Sequence, residues 1–423
     1  MVGRRHGPVL FRRMFRRLVS VVMPIEQFSR EDRRLVFLMW TAGIVQGYAA
    51  AHAVNTEPFA RLSLSLSTSE MSRLFSITRI GALVAVGFAW WGDGHGRRRP
   101  FLAGLTALVL ASAATGLTQN AAQYGAAQTL TRMGATATGV LGAVILVEAV
   151  SVRVRAYALS LYGAAASFGA GLATMALPIS DIGPDAWRWV FGSTVVGLML
   201  VPVLARRLPT APHTSSSAGN PWFSGLEHPG RFWLLAGASF GIAAFSALAV
   251  SFSFERLVND LGWSGTQAAA VSLAGGTLGG IGFFTGGRMA DGWGRRPTAM
   301  VGVICGLVGG VALFWVTSIP WIISAIFVSA FGSFTLVPAL GTLRNELFAE
   351  SIRSRAVTWV NNVAVIGSVT GLSIGAVAIE RYGLARTITG LGTMSLVAIV
   401  FLALLPETLQ IGQTVRVTDP RQA

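Results

Sequence analysis

Apolar residues run along this chain in blocks of about twenty, separated by short clusters of arginine, proline and glycine. A helix of that length crosses the ~30 Å hydrocarbon core of a bilayer. Twelve such blocks are legible, at roughly 35–57, 72–91, 101–118, 121–149, 157–178, 187–205, 232–254, 266–287, 298–317, 321–343, 357–379 and 387–405. The third and fourth are separated by little more than Gln119 and Asn120. The pattern predicts an all-α membrane protein of twelve transmembrane helices.

Composition agrees. Charged residues make up 12% of the chain and hydrophobic ones 52%, against about 25% charged in soluble domains, whose whole surface is wetted. A soluble enzyme is excluded. Cys305 is the only cysteine, so neither an intramolecular disulfide nor a cysteine metal site can form. No phosphate-binding glycine loop, His/Cys cluster or Ser–His–Asp set is visible. The expectation is a non-enzyme without cofactors or metal.

All 33 basic residues are arginine and the net charge is +15. The arginines sit between apolar blocks, which points to membrane topology and not to nucleic acid. With the amino terminus inside, the inner segments hold 25 arginines and the outer ones 6: Arg61, Arg73, Arg188, Arg256, Arg381 and Arg386. That bias places both termini in the cytoplasm of a cell whose inner (plasma) membrane the chain crosses. Arg79 and Arg132 lie inside spans. Residues 1–34 show no signal-peptide pattern. Arg12, Arg13, Arg16 and Arg17 stand opposite Phe11, Phe15, Leu18 and Val22, which reads as an amphipathic helix on anionic lipid. A disordered tail, or a true start at Met14 or Met23, is the alternative.

The chain also repeats itself. Asp93-Gly94-His95-Gly96-Arg97-Arg98 returns as Asp291-Gly292-Trp293-Gly294-Arg295-Arg296. Glu148, with Arg155 seven residues on, returns as Glu346 with Arg353. Both separations are 198 residues (291 − 93 and 346 − 148). Two six-helix bundles are therefore expected, 35–205 and 232–405, pseudo-symmetric, with a basic segment 1–34, a Pro/Ser-rich linker 206–231 and a tail 406–423. Glycines four apart in spans 8, 9 and 11 (Gly275/Gly279, Gly276/Gly280, Gly302/Gly306/Gly310, Gly367/Gly371/Gly375) predict close helix packing.

With these motifs the chain resembles the major facilitator superfamily, over nearly its whole length. The second D-x-x-G-R-R loop, read from Gly287 and Arg288, is nearly complete, with Gly292 where a basic residue is common; in the first, Ala89 replaces the leading glycine. Trp187-Arg188-Trp189, the Glu346…Arg353 loop and Leu405-Pro406-Glu407-Thr408 resemble the sugar-porter and metabolite–proton symporter branches. The resemblance implies alternating access around a cavity lined by spans 1, 2, 4, 5, 7, 8, 10 and 11. It also implies a conformational latch between the halves built from Asp93, Arg97, Arg98, Glu148, Arg155, Asp291, Arg295, Arg296, Glu346 and Arg353. Static loop pairs are the plainer reading of the same residues.

Intramembrane charge is costly and marks function by default. Arg79 or Arg132 is the expected counter-charge for an anionic substrate. The alternative is an arginine bonded to helix-end carbonyls, Glu57 or Glu148. Gln128 lies one turn from Arg132, Tyr48, His52 and Asn55 share a face of span 1, and Trp359 and Asn362 share a face of span 11. His52 could carry a proton or be a hydrogen-bonded structural residue, and an arginine at the Arg132 position is linked to proton coupling in the family. Phe75 and Tyr124 add aromatic surface. The expected partners are a small anionic substrate, protons and the bilayer, with no nucleic acid, for a monomeric secondary transporter. Proton-coupled import of a carboxylate metabolite is the leading function. Proton-driven efflux of hydrophobic drug-like compounds and a flux-less membrane sensor are the alternatives.

Overall fold

Helix starts in this chain are written in its short polar residues. Ser29, Ser67 and Ser264 each accept from the backbone N–H three residues on, while Asp32, Glu70 and Gln267 reach back to the serine N–H. These capping boxes satisfy amide donors that a helix leaves free at its first turn. Asn120 caps a fourth helix through Gln123 N–H at 3.0 Å.

The computed structural model describes residues 29–151, 155–208, 229–348 and 350–409, and among them there is no strand. The expected amphipathic segment, most of the linker and the tail from residue 410 lie outside the described residues. Six helices form the first half: α1 Arg30–Asn55, α2 Thr68–Gly92, α3 Arg98–Thr115, α4 Ala121–Ala149, α5 Ala158–Ile182 and α6 Trp187–Arg207. Six form the second: α7 Pro229–Ser251, α8 Gly265–Gly292, α9 Arg295–Ala312, α10 Ile319–Glu346, α11 Glu350–Tyr382 and α12 Leu384–Leu404. Ten of these segments are long and apolar enough to cross a membrane. The other two, α3 and α9, are 18-residue helices that begin with paired arginines at equivalent places in the two halves.

The repeat extends to atomic contacts. A Cβ on Gly81 of α2 would lie 2.1 Å from the Thr129 carbonyl oxygen of α4, and one on Gly279 of α8 would lie 3.0 Å from that of Phe327 of α10. Gly134 meets Gly104 between α4 and α3 as Gly332 meets Gly302 between α10 and α9, and Gly169 abuts Ile44 as Gly367 abuts Phe240. The paired glycines are each 198 residues apart. In the membrane no hydrophobic effect drives helix against helix, so backbone proximity supplies the packing. Not every glycine in the expected stripes serves: side-chain positions at Gly276 and Gly306 meet nothing within 4 Å. Gly306 nonetheless packs through its backbone, since a Cβ on Gly332 would lie 2.3 Å from its nitrogen.

The face at which α1 begins carries both Gly-Arg-Arg loops and is termed the arginine face; the other is the distal face. Described polar contacts between the halves gather toward the distal face. Arg61 Nη2 donates to Glu255 Oε1 at 2.5 Å and Ser69 Oγ to Glu380 at 2.5 Å. Ser72 Oγ donates to the Leu372 carbonyl at 2.7 Å, and Ser76 meets Ser373 at 2.8 Å. Asp181 accepts from Gly265 N–H at 2.5 Å, and from the N–H and hydroxyl of Thr266 at 2.8 and 2.7 Å. A buried cluster including Phe75, Phe252, Leu248 and Leu372 fills the space behind these contacts. The salt bridges described at the arginine face run within one half or the other.

Candidate functional site: an arginine-flanked cavity

Arg79 and Arg132 each stand eleven residues into their helices, counted from Thr68 and Ala121, or about 17 Å at 1.5 Å per residue. Gly81 lets α2 lie directly on α4 at that depth, so the two guanidinium groups are near enough to repel one another. The α2 helix is interrupted at Arg79, between Thr68–Thr78 and Ile80–Val84. Arg79 Nε is buried without a hydrogen-bond partner. The carboxylates expected as alternative partners stand elsewhere: Glu57 lies 3.8 Å from Arg61, and Glu148 pairs with Arg97.

Arg79 reaches across to a cavity of about 340 Å3 in the second half, walled by Ala243, Ser246, Ala247 and Val250 of α7 and by Ala364, Val365 and Ser368 of α11. A second cavity of about 420 Å3 shares Ala243, Ser246 and Ala364 with it and extends along Leu336, Val337, Leu340 and Gly341 of α10 to Arg344. Arg344 donates to Asn361 Oδ1 at 3.0 Å and to Ser239 Oγ at 2.9 Å, which fixes its fork at the cavity wall. Among the described residues, no carboxylate lines either volume. A guanidinium therefore stands at each end of an alanine-, serine- and valine-walled space.

Other expected lining residues are placed differently. Tyr48 shares a 2.6 Å hydrogen bond with Ser193 and packs edge-on against His52, ring centroids 4.4 Å apart. His52 also meets Phe191 edge-on, and both ring nitrogens are buried without a hydrogen-bond partner. Asn55 donates to Thr174 at 3.2 Å and Gln128 to Thr115 at 2.9 Å, both within the first half. Phe75 and Tyr124 belong to the distal core, and Trp359 packs against the core of the second half near the arginine face. Of the neighbouring asparagines in α11, Asn361 and not Asn362 holds Arg344. Tyr48, Asn55 and Gln128 find their partners within the first bundle, so the cavities draw their uncharged polar wall from Ser239, Ser246 and Ser368.

Arg344, Ser239, Ser246 and Asn361 were not singled out from the sequence. Arg344 read as an inner-loop charge, whereas α10 continues to Glu346 and keeps it helical. A usable signal did exist: Ser239 and Ser246 are seven apart, two helical turns on one face of an otherwise apolar helix.

The expected latch residues form two equivalent clusters. Arg97 Nε meets Glu148 Oε1 at 3.3 Å, and 198 residues later Arg295 Nε meets Glu346 Oε2 at 3.3 Å. Glycines in left-handed backbone, Gly96 (φ 85°) and Gly294 (φ 115°), turn the chain tightly enough to aim these arginines back at their own half. The glutamates thus pair with the loop arginines; the side chains of Arg155, Arg353 and Asp93 lie outside those described. Asp291 meets Arg295 at 3.3 Å. Arg296 donates to the Ala403 and Leu405 carbonyls, and Arg98 opens α3. Glu407, also unforeseen, accepts from the Arg295 and Arg296 N–H groups at 2.9 and 3.0 Å and caps α9.

Comparison with known proteins agrees with this architecture. The profile of the family described as Major Facilitator Superfamily matches residues 14–343 and again 234–416. Among solved structures, a bacterial homologue of the human lysosomal transporter Spinster, inward-facing and occupied, aligns with a TM-score of 0.70 at 15% identity, over 89% of this chain and 97% of that one. The inward-open xylose transporter XylE from E. coli aligns at 0.69 and 16%, over 90% and 98%. The nucleoside transporter NupG aligns at 0.71 and 11%, over 87% and 99%. No curated protein sequence matches.

Proposed function

The chain belongs to the Major Facilitator Superfamily, and on that footing we propose that it is a secondary transporter importing a small organic anion together with protons. One observation carries the reading: Arg79 and Arg344 each line one of two adjoining cavities that share Ala243, Ser246 and Ala364, and no carboxylate among the described residues lines either. Apolar walls between two fixed cations suit a carboxylate with an apolar body. With the arginine face cytoplasmic, as the arginine bias argues, the closed distal face makes this the inward-facing state. Moving one negative charge inward works against the membrane potential at about 2.3 kcal/mol per 100 mV. A co-transported proton cancels that charge, which supports symport. Arg132, half-buried beside Arg79, keeps its proton and acts on coupling as a fixed charge; His52, the titratable candidate, is enclosed by aromatic rings.

The test is uptake of radiolabelled monocarboxylates of graded size into proteoliposomes under an imposed pH gradient. Each arginine contributes charge-assisted hydrogen bonds worth about 1.5–3 kcal/mol. Arg79→Ala or Arg344→Ala should therefore raise KM about 10- to 150-fold, and a proton ionophore should collapse accumulation. Transport confined to cations or neutral compounds, retained by both variants, overturns the reading.

A further inference from the structure

Glu57 and Glu255 stand on opposite halves of the molecule and meet where the distal face is closed. Glu57 opens the short helix Glu57–Ser63 that follows α1; Glu255 ends the short helix Ser253–Glu255 that follows α7. Their exposures are 0% and 3%. Between them is one strong cation, Arg61, committed to Glu255 Oε1 at 2.5 Å and to the Leu66 carbonyl at 3.0 Å. Its Nε comes no closer to Glu57 than 3.8 Å. Asn259 donates to the other Glu255 oxygen at 2.7 Å. Glu57 is left with both oxygens buried and no hydrogen-bond partner among the described residues.

Two carboxylates around one guanidinium leave one negative charge over, sealed from water. The remaining charged or titratable groups near Glu57 do not remove it. Asp260, on the turn after Glu255, adds negative charge and is itself paired with Arg256 at 3.5 Å. Tyr124 of α4 feels the Glu57 charge, and its buried hydroxyl has no hydrogen-bond partner either. The two carboxyls share the Arg61 guanidinium, whose nitrogens stand 3.8 Å from Glu57 Oε1 and 2.5 Å from Glu255 Oε1. Carboxylates only accept, so neither can supply the donor that Glu57 lacks unless one of them is protonated.

We propose that Glu57 and Glu255 together bind one proton whenever the distal face is closed, and surrender it to the distal solution when the halves part. The proton neutralises the surplus charge and supplies the missing donor. Burial foremost, then Glu255, pushes the Glu57 carboxyl well above the ordinary glutamate range, with Arg61 pulling the other way. In the open state the Glu57 carboxyl is hydrated and returns to the ordinary glutamate range, near pH 4.3. The closed state binds more protons, so acid on the distal side favours closure. The advantage is full below about pH 4.3 and is lost as pH rises through the elevated value. This proton is a gating ligand, taken from and returned to one side. The inference rests on alternating access and not on the anion, so its test uses no substrate.

Ser72 is wholly buried in the closed distal contact, and Cys305 is the only cysteine. Ser72→Cys in a Cys305→Ser background therefore reports opening of the full-length protein to a membrane-impermeant maleimide. Labelling rates are compared at each pH, from about 5 to about 8, between this protein and the same protein carrying Glu57→Gln, so that the thiol's own titration cancels. Glutamine mimics the protonated acid. The labelling ratio of parent to variant should climb with pH, by up to about tenfold per unit. Glu255→Gln, which also removes one negative charge, should give the same climb and serves if Glu57→Gln does not fold. A ratio constant within about twofold for the folded variants overturns the proposal.

Discussion

Closure of the distal face can be weakened without unfolding a helix, at Asp181. Its carboxylate crosses from the end of α5 to the first turn of α8 and accepts from three donors, Gly265 N–H, Thr266 N–H and the Thr266 hydroxyl. The α8 helix does not need it to start, because Ser264 and Gln267 already form a complete capping box there. Asp181→Ala should therefore act on the balance between states and leave the fold intact. An N-terminal capping acceptor is worth about 0.5–2 kcal/mol, and a negative charge at a helix start adds about 0.3–1 kcal/mol. Solvent reaches this site, so about 1–3 kcal/mol of closure should be lost, a 5- to 150-fold shift toward the distal-open state. Asp181→Asn keeps one acceptor oxygen and should fall between. Spin labels at Leu62 and Tyr382, exposed positions of the two halves near the distal face, would report the change in a Cys305→Ser background. A long-distance population should appear or grow with unchanged Tm. A lowered Tm with an unchanged distance distribution would refute the reasoning and make Asp181 an element of the fold.

Three further outcomes follow from the same contacts. Gly371→Leu would place a Cβ 2.0 Å from the Ala244 carbonyl oxygen; overpacking of about 1–3 kcal/mol or more should lower Tm clearly, while Gly163→Ala, which meets nothing within 4 Å, should leave it unchanged. Asp291→Asn should impair flux far more than expression if the Arg295 cluster takes part in switching; unchanged rates in both Asp93→Asn and Asp291→Asn would make these loops topological anchors. Burial raises the Glu407 carboxyl, but the N–H groups of Leu409, Arg295, Arg296 and Thr408 together hold it below the ordinary value. Its anchoring of residues 405–409 should thus persist above about pH 4.3 and fail as pH falls through the lowered value. Glu407→Gln should mimic that failure as faster proteolysis of this segment at neutral pH.

What the sequence made legible follows from the kind of physics each feature obeys. Span number depends on runs of apolar residues against a fixed membrane thickness, a one-dimensional property. The boundaries moved by a few residues, as at α1, expected at 35–57 and found at Arg30–Asn55, because the Ser29 capping box begins the helix before hydrophobicity does. The repeat was legible because the 198-residue offset is shared by motifs, and it reappears in glycine contacts whose first-half members, Gly81, Gly104, Gly134 and Gly169, no motif marked. Arg79 and Arg132 stood out because an intramembrane charge is costly wherever its helix points.

Residue roles in the site depend on rotation of each helix and on which polar groups find partners, and neither is a property of one helix alone. Tyr48, Asn55 and Gln128 look like cavity residues on a helical wheel, yet Ser193, Thr174 and Thr115 lie across from them and take their hydrogen bonds. Arg344 looks like a loop charge because its block of apolar residues ends there, yet Ser239 and Asn361 on two other helices hold it against the cavity. The same reasoning separates the two carboxylate settings of this protein. Glu148 and Glu346 each meet one arginine in their own half, so their pairs can persist as the halves move. Glu57 and Glu255 meet only across the halves, and their excess charge exists only while the distal face is closed. A charge imbalance created by one conformation and relieved in the other is what makes protonation depend on state, and it ties this state-dependent proton to the distal contact.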